Sequence, residues 1–345
     1  SMIMNYYRHI DREKVQFDFL VHRQEQAAFD DEIESLGGRI YRLSRLVPWS
    51  KNYLAALNRF FDEHSEHKIV HVHQDCLSSV ILKVTAQHNV PVRIAHSHNA
   101  NQDRNLKYPI KLWYRRSIPQ YATNLFACGK DAGDWMFSGA SYQIINNAID
   151  VAAYSYDPEK CIEMRQKLGL ENELIVGHVG RFNPQKNHPF LLDIFAVLLK
   201  KEPNAVLILV GGGEDMPKIQ AKAQALGVAE HVRFLGIRSD VADLMQAMDV
   251  FVFPSLYEGL PVTMVEAQAA GLPCIISDKV PPECILTDGL VDALPLSAEP
   301  EAWAEKMLEK REVPRTDRRS EIAAHGFDIT TEAVKLQEFY LEAAE

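Results

Sequence analysis

The sequence predicts an α/β protein made of two doubly wound domains, each with a parallel sheet between layers of helices. Apolar segments of strand length alternate with amphipathic helical segments along most of the 345 residues. Strands that are apolar on both faces are typical of a parallel sheet covered by helices. An irregular stretch at 146–158 interrupts this alternation and predicts a domain boundary. The chain length agrees, because domains average roughly 100–200 residues.

In the first half, a helix precedes six predicted strands. The opening segment SMIMNYYRHI predicts a helix with no strand before it, so we expect the biological protein to begin earlier. The predicted strands are 15–21, 39–43, 68–73, 90–96, 124–129 and 142–146. Helical patterns such as DDEIESLG and YLAALNRFFDEHS fill the intervals.

The second half repeats this rhythm. The predicted strands are 174–180, 205–211, 232–236, 250–254, 273–277 and 293–297. Helical patterns such as HPFLLDIFAVLLKK and MPKIQAKAQALG lie between them. Beyond about Glu299 the pattern is helical and polar, and we expect the last helix, 329–345, to pack back on the first domain.

The composition restricts the classes of partner and compartment. The formal net charge is −10, and an acidic surface repels nucleic acid backbones, so we expect no nucleic acid partner. The five cysteines are scattered without CxxC spacing, which argues against a disulfide framework and a zinc site. No apolar run approaches about 18 residues and no signal peptide is visible, so we expect a cytoplasmic protein.

In doubly wound sheets, ligands bind at the carboxyl ends of the strands. The segment RFNPQKN follows the strand at 174–180 and carries Arg181 and Lys186. If Asn183 or Asn187 caps the next helix, an arginine, a lysine and a helix N-terminus together form a diphosphate site. The alternative is a solvated basic loop.

Two other strand ends are less specific. Gly212–Asp215 is compatible with close backbone approach to a ligand, but also with a plain tight turn. Backbone groups of Ile237 and Arg238 are placed to bind the edge of a base. In the alternative reading, Ser239 or Asp240 caps a helix.

The segment EGLPVTMVE places Glu258 and Glu266 on either side of a predicted helix start near Val262. Helix N-termini stabilise anions, and flanking carboxylates accept hydrogen bonds from sugar hydroxyls. The backbone donors there would belong to Leu260, Val262 and Thr263. The alternatives are a solvent-exposed loop carboxylate for Glu258 and a capping box, Thr263-x-x-Glu266, for Glu266.

Histidines follow two strands of the first half, in HVHQD (71–75) and IAHSHNANQD (94–103). His96, His98 and Asn99 are the candidates for a cleft-lining set. A metal site would need further ligands at fitting distances, and the spacing does not supply them. A structural role is the usual one for a lone histidine.

Together these motifs resemble the retaining glycosyltransferases of family four, which have the GT-B fold of two Rossmann-like domains facing across a cleft. The segments GRFNPQKN, GGGED, FLGIRSDV and YEGLPVTMVEAQAAGLPCIISD occur in the family's order and spacing. IINNAID is similar to the family's interdomain IPNGID, with Ala148 where glycine is usual. The segments MNYYRHID, FDFLVHR and RIAHSHN resemble the bacterial exopolysaccharide and capsule subgroup.

The resemblance implies domains and a reaction. Residues 1–150 would form the acceptor-side domain, 151–328 the domain that binds a nucleotide sugar, and 329–345 the returning helix. A sugar would pass with retention to a saccharide or lipid-linked acceptor, with no cofactor and no metal. UDP is the expected carrier by family frequency. The family's first strand and glycine-rich loop are absent before SMIMNYYR, and a chain that truly lacks them should bind donor weakly or not turn over.

The resemblance also implies residue roles. His98, or His96 if the local alignment slips, would lie near the reaction centre, and Glu258 would hold a hydroxyl of the transferred sugar. Glu266 would bind the ribose hydroxyls. The remaining donor contacts would be Arg181, Lys186, Ile237, Arg238, Gly259, Leu260, Val262 and Thr263.

The basic aromatic segment KYPIKLWYRRS (107–117) predicts a helix that lies on anionic lipid at the inner membrane face. The alternative is a surface helix with Trp113 turned into the core. Two alternatives to a transferase also stand. One is a nucleotide-sugar epimerase of the same fold, and the other is a nucleotide-sugar-binding protein without catalysis.

Overall fold

The computed structural model describes residues 2–98 and 108–345. The chain divides into two compact units. The N-terminal unit comprises Ser1–Ala148 and Ile329–Glu345, and the C-terminal unit comprises Ile149–Asp328. The chain therefore leaves the first unit once and returns to it for the last helix.

The N-terminal unit contains two parallel sheets. The strands are β1 (Phe19–Val21), β2 (Ile40–Arg42), β3 (Ile69–Val72), β4 (Val92–Ser97), β5 (Asn124–Ala127) and β6 (Gln143–Ile144). Strands β1 and β2 pair with each other, and β3 to β6 form a four-stranded sheet in chain order. The predicted strand at 15–21 is shortened to β1, because its backbone meets β2 only from Phe19, whose N–H donates to Arg39 O.

Helices cover these sheets. They are α1 (Met2–His9), α2 (Asp30–Ser35), α3 (Lys51–Glu63), α4 (Ser78–Gln87), α5 (Tyr108–Arg115), α6 (Ile118–Tyr121), α7 (Lys130–Phe137) and α16 (Ile329–Ala344). The predicted N-terminal helix is confirmed as α1. It buries Met4, Tyr6 and Tyr7 and packs against α16. Burial of these large side chains supplies much of the driving force that holds α1 in place.

A cavity of about 740 Å³ lies within the N-terminal unit. Residues of β1 and β3 line it, together with residues of α1, α3 and α16. We call it the N-terminal cavity. It reaches His71, His73 and His98 at the carboxyl end of β3 and just beyond β4.

The C-terminal unit is built on one six-stranded parallel sheet, and the predicted alternation of strands and helices is confirmed. The strands are β7 (Ile175–Val179), β8 (Val206–Val210), β9 (Val232–Gly236), β10 (Val250–Phe253), β11 (Cys274–Ser277) and β12 (Val291–Leu294). The helices are α8 (Val151–Tyr154), α9 (Pro158–Leu168), α10 (His188–Lys201), α11 (Met216–Ala225), α12 (Val241–Ala247), α13 (Val262–Ala269), α14 (Pro300–Lys310) and α15 (Arg319–Ala324).

Both faces of this sheet are buried. On β8, Val206, Ile208 and Val210 belong to one apolar cluster, and the alternate residues Leu207 and Leu209 belong to the other. This period of two is what a strand between two helical layers requires. The last strand lies at Val291–Leu294 instead of 293–297, because the pairing with β11 sets its register.

The strand order of the six-stranded sheet is β12-β11-β10-β7-β8-β9. From β7 the chain adds β8 and β9 on one side of the sheet. It then crosses to the other side of β7 and adds β10, β11 and β12. Strands β7 and β10 are direct neighbours, with Val250 opposite Val176. Their carboxyl ends therefore form the topological switch point, where ligands bind in this class of sheet.

The described residues include no helix that is both long and apolar enough to cross a membrane. The five cysteines are free thiols. Cys128, Cys274 and Cys284 are buried. Burial raises the pKa values of these three thiols, so they are unreactive core residues.

Candidate functional site

The candidate site of the C-terminal unit lies at the switch point, where the loops after β7 and β10 contact each other. The N–H of Leu256 donates to the carbonyl of Gln185 at 2.8 Å. The side-chain Nε2 of Gln185 donates to the carbonyl of Tyr257 at 3.0 Å and to Glu258 Oε2 at 3.1 Å. Gln185 therefore joins two loops that are more than 70 residues apart in the chain.

A buried ion pair forms the centre of this site. Lys186 Nζ lies 2.7 Å from Glu258 Oε1, and the two side chains are only 14% and 6% exposed. The ammonium group also lies 4.5 Å from the centre of the Phe253 ring, on the last residue of β10. The reading of Glu258 as a solvent-exposed loop carboxylate is wrong, because the pairing with Lys186 and Gln185 buries it.

Arg181 and Asn183 shape the rest of the loop after β7. The side chain of Asn183 accepts a hydrogen bond from the N–H of Lys186, so Asn183 caps a short 3₁₀ turn, Pro184–Lys186. Asn187 occupies the N-cap position of α10 in a left-handed conformation but makes no side-chain cap bond. Arg181 is exposed. The loop thus holds one buried cation, Lys186, and one cation open to solvent.

The glycine-rich turn after β8 packs against the backbone of the loop after β7. Gly211 has φ +138°, and a Cβ there would lie 2.1 Å from the carbonyl oxygen of Gly180. Gly213 has φ +158°, and its Cβ would lie 2.2 Å from the carbonyl oxygen of Phe182. Only glycine fits both positions, so this turn supports the backbone that carries Arg181.

Beside this turn lie the residues predicted to bind the base. Ile237 is exposed, and its side chain lies over Gly212. Arg238 donates from Nε and Nη2 to the carboxylate of Asp240 at 2.8 and 2.5 Å. Asp240 occupies the N-cap position of α12 but makes no cap bond. The predicted N-cap position is therefore confirmed for Asp240, but its side chain makes no cap bond because Arg238 engages the carboxylate.

Helix α13 begins where the sequence predicts, at Val262. The N–H groups of Val262 and Thr263 lie in its first turn, where a helix supplies no internal acceptors. A Cβ on Gly259 would meet nothing within 4 Å, so the chain just before the helix borders open space. Leu260 is half-buried. Pro261 occupies the N-cap position.

The capping box predicted for Glu266 is wrong. With Pro261 at the N-cap, Thr263 lies inside the first turn, and no side chain caps this helix. The half-buried side chain of Glu266 instead lies beside the hydroxyl of Tyr154. Burial raises the pKa of Glu266, and the hydrogen bond from Tyr154 opposes part of that rise. Burial and the neighbouring Glu266 also raise the pKa of Tyr154.

The carboxylates of Glu258 and Glu266 thus flank the start of α13. Glu258 is largely buried and Glu266 is half-buried. A buried carboxylate is costly unless its partners compensate it, so such groups are typical of functional sites. Glu258 has Lys186 and Gln185 as partners. Glu266 has the Tyr154 hydroxyl and a raised pKa. The sequence did not single out Gln185, Tyr154 or Phe253, and only Gln185 carried a signal, as part of RFNPQKN.

In the N-terminal unit, His96 and His98 meet two further histidines, His71 and His73. His73 Nδ1 lies 2.7 Å from His98 Nε2, and His71 Nε2 lies 3.1 Å from His96 Nδ1. We call these four residues the histidine cluster. Asn99 lies outside the described residues. The parallel pairing of β3 with β4 produces this arrangement, which the separate motifs HVHQD and IAHSHN do not reveal.

The histidine cluster is uncharged at neutral pH. Burial lowers the pKa of His71 to about 3, with the neighbouring His98 adding to the effect. Burial also holds the pKa values of His73 and His96 well below the usual value, and it lowers that of His98. His98 is therefore a neutral hydrogen-bonding group and not a cation.

Comparisons with known proteins agree with these features. A family model described as glycosyl transferases group 1 matches residues 162–324, which include the loops after β7 and β10 and the start of α13. The putative glycosyltransferase EpsF of Bacillus subtilis is 36% identical over 341 residues, which are 95% of this chain and 89% of EpsF. A UDP-Gal:alpha-D-GlcNAc-diphosphoundecaprenol alpha-1,3-galactosyltransferase of Escherichia coli is 29% identical over 58% of this chain and 54% of its own.

Solved structures share the fold at low sequence identity. HepE of Anabaena, in complex with UDP, superposes with a TM-score of 0.80 at 18% identity and covers 99% of this chain and 96% of its own. WaaG, a glycosyltransferase involved in lipopolysaccharide biosynthesis, gives 0.67 at 15% identity, with 99% and 94% covered. The fold class is therefore GT-B, as the sequence predicts, and the chain belongs to the group 1 glycosyltransferase family.

Proposed function

We propose that this protein transfers a sugar, with retention of anomeric configuration, from a UDP-sugar to a saccharide or lipid-linked acceptor in exopolysaccharide or capsule biosynthesis. The observation that carries the proposal is the buried Lys186–Glu258 pair at the switch point, beside the start of α13. The Lys186 ammonium group can bind a diphosphate, and the adjacent Glu258 carboxylate can accept a hydrogen bond from a sugar hydroxyl. Two similar proteins support the proposal. HepE binds UDP in its crystal structure, and the Escherichia coli relative is named for a UDP-sugar donor and a diphosphoundecaprenol-linked acceptor.

In this proposal the donor's diphosphate binds Arg181, Lys186 and the N–H groups at the start of α13. Glu258 accepts from a hydroxyl of the transferred sugar, and Glu266 accepts from the ribose hydroxyls. Backbone groups of Ile237 and Arg238 hold the base. The N–H groups are those of Gly259, Leu260, Val262 and Thr263.

The chemical step follows from where charge develops. As the glycosidic bond breaks, the sugar gains oxocarbenium character and negative charge grows on the leaving diphosphate. Groups already directed at that charge stabilise the transition state more than the ground state. The leaving phosphate takes the proton of the acceptor hydroxyl on the same face, while Glu258 positions the sugar. We propose that this chemistry needs no metal and that His98 contacts the donor near the reaction centre.

The test combines binding and product analysis on the full-length protein. In a thermal-shift screen of nucleotide sugars, we expect UDP-sugars to stabilise the protein, by about 2.7 kcal/mol at 100 times the dissociation constant. Incubation of the best donor with lipid-linked acceptors should then yield a glycosylated product with the donor's anomeric configuration. An altered free sugar formed without acceptor would identify an epimerase instead, and binding without turnover would identify a non-catalytic protein.

We further propose that α5 binds anionic lipid and so brings the enzyme to a lipid-linked acceptor at the inner membrane face. The alternative, with Trp113 turned into the core, does not hold, because Trp113 is 66% exposed. Ile110 is exposed beside it, and the basic side chains of Lys111 and Arg116 lie on or next to the same helix. Arg115 packs on Trp135 instead, and Lys107 lies outside the described residues.

Liposome flotation tests this membrane proposal. We expect the protein to float with vesicles rich in anionic phospholipid, and Trp113→Ala to reduce the bound fraction several-fold, because an indole supplies a large share of interfacial binding. Trp49 is 65% exposed and lies outside α5, so Trp49→Ala is the matched control. Equal flotation of Trp113→Ala and Trp49→Ala, or no flotation of the wild type, would contradict lipid binding by α5.

A further inference from the structure

The histidine cluster contains two nitrogen atoms with no partner. The Nε2 atoms of His73 and His96 are buried and accept or donate no hydrogen bond within the described part of the chain. His96 is only 1% exposed. A buried polar atom without a partner is destabilising. Two such atoms in one cluster indicate that a bound ion could complete it, because no side chain of residues 2–98 and 108–345 does so.

The other nitrogen of each ring is already held. His73 Nδ1 is bonded to His98 Nε2, and His96 Nδ1 is bonded to His71 Nε2. His71 Nδ1 is bonded in turn to the hydroxyl of Tyr340 on α16, at 2.6 Å. If each Nδ1 carries the proton and donates it, the lone pairs of both unpartnered Nε2 atoms are free to bind a cation. Metal-binding histidines generally have this arrangement, with the distal N–H donating to a second group.

The backbone places these side chains together. In the parallel pairing of β3 with β4, the last paired residues are Val72 and Ala95, and His73 and His96 are the next residues of the two segments. The rings of His73 and His96 are 5.1 Å apart between centroids. One nitrogen from each of His71, His73 and His96 lies within 4.8 Å of the others. Ligation at about 2.0–2.1 Å requires nitrogens closer than this, so small ring rotations must accompany binding.

We propose that His73 and His96 bind a divalent d-block cation through their unpartnered Nε2 atoms. An all-imidazole set suits Zn²⁺, Ni²⁺, Co²⁺ or Cu²⁺, whereas Mg²⁺ and Ca²⁺ prefer oxygen ligands. The N-terminal cavity reaches His71 and His73 and gives the ion a path to the site. His71 and His98 act as the outer partners that orient the rings of His96 and His73, and Tyr340 holds His71 in turn. The ion joins the ends of β3 and β4 and takes no part in the proposed glycosyl transfer.

Calorimetric titration of the full chain with ZnCl₂, after dialysis against EDTA, tests the site. We expect one ion per chain. His73→Ala and His96→Ala should each lower the affinity by about 100-fold or more, and His98→Ala by about 10-fold, as for loss of an outer partner. His67 also lines the cavity but lies outside the histidine cluster, so His67→Ala is the matched control, with less than about a threefold change in affinity expected.

The Co²⁺-loaded wild type supplies a readout that needs no variant. Its visible absorption should show a low-coordinate, nitrogen-ligated ion, and X-ray absorption should show imidazole scattering. These two spectra test metal binding by the histidine cluster even if His96→Ala does not fold. Absence of binding, or equal loss of affinity in His67→Ala, would overturn the proposal.

Discussion

Replacing Lys186 by alanine is expected to lower the rate of glycosyl transfer about 100-fold and the free energy of unfolding by about 3 kcal/mol. The first effect follows because the ammonium group faces the leaving diphosphate in the proposed complex, where a charged contact contributes at least ~2–3 kcal/mol. The second follows because Glu258 would be left buried without its cation. Transfer assays and denaturant unfolding measure the two effects separately.

Two further variants separate the catalytic and structural parts of this result. In Lys186→Ala/Glu258→Gln the unpaired charge is gone, so we expect much of the lost stability to return while transfer stays low. Arg181→Ala should reduce transfer to a similar extent with little change in stability, because Arg181 is exposed. Lys201→Ala, which breaks an exposed pair with Glu305, is the control and should change neither. Near-normal transfer in both Arg181→Ala and Lys186→Ala would contradict the proposed diphosphate site.

Replacing Glu266 by glutamine is expected to have opposite effects on binding and stability. Donor affinity should fall by about 10- to 100-fold, because hydrogen bonds from the ribose to a charged acceptor contribute roughly 1.5–3 kcal/mol. The protein without donor should become more stable at neutral pH, because burial raises the pKa of Glu266 and therefore disfavours its ionised form. Calorimetry with UDP and unfolding without it give the two quantities.

The pH dependence of the stability difference follows from the sign of that shift. A carboxyl group whose pKa is raised in the folded state stabilises it most below the pKa of the unfolded chain, and this contribution is lost as pH rises through the folded pKa. The advantage of Glu266→Gln over wild type should therefore be small in acid and grow toward neutral pH. Glu163→Gln, at an exposed position on α9, should not gain stability toward neutral pH, because the pairing with Lys167 lowers the pKa of Glu163 and so gives the opposite sign. Unchanged donor affinity in Glu266→Gln would contradict the ribose assignment.

The strands, strand-end loops and helix caps behind these predictions differ in how well the sequence alone predicts them. Apolar runs and helical periodicity are local, so the strands and helices of the C-terminal unit follow from the sequence, as does the start of α13 at Val262. The loops with Arg181, Lys186, Ile237 and Glu258 were located for the same reason, because each directly follows an apolar strand. Turn chemistry was less reliable. The expected capping box at Glu266 and the side-chain cap bond of Asp240 do not form, since Pro261 and Arg238 override those local patterns.

The α/β class, the two-part organisation and the set of polar residues at the strand ends follow from local sequence patterns. Which of these polar residues contact each other depends on the tertiary structure. The pairing of Lys186 with Glu258, of Glu266 with Tyr154 and of His73 with His98 joins residues that are distant in the chain. Such contacts arise from the order of strands in a sheet and from burial, which depend on the whole packed unit and leave no periodic signal in a short segment.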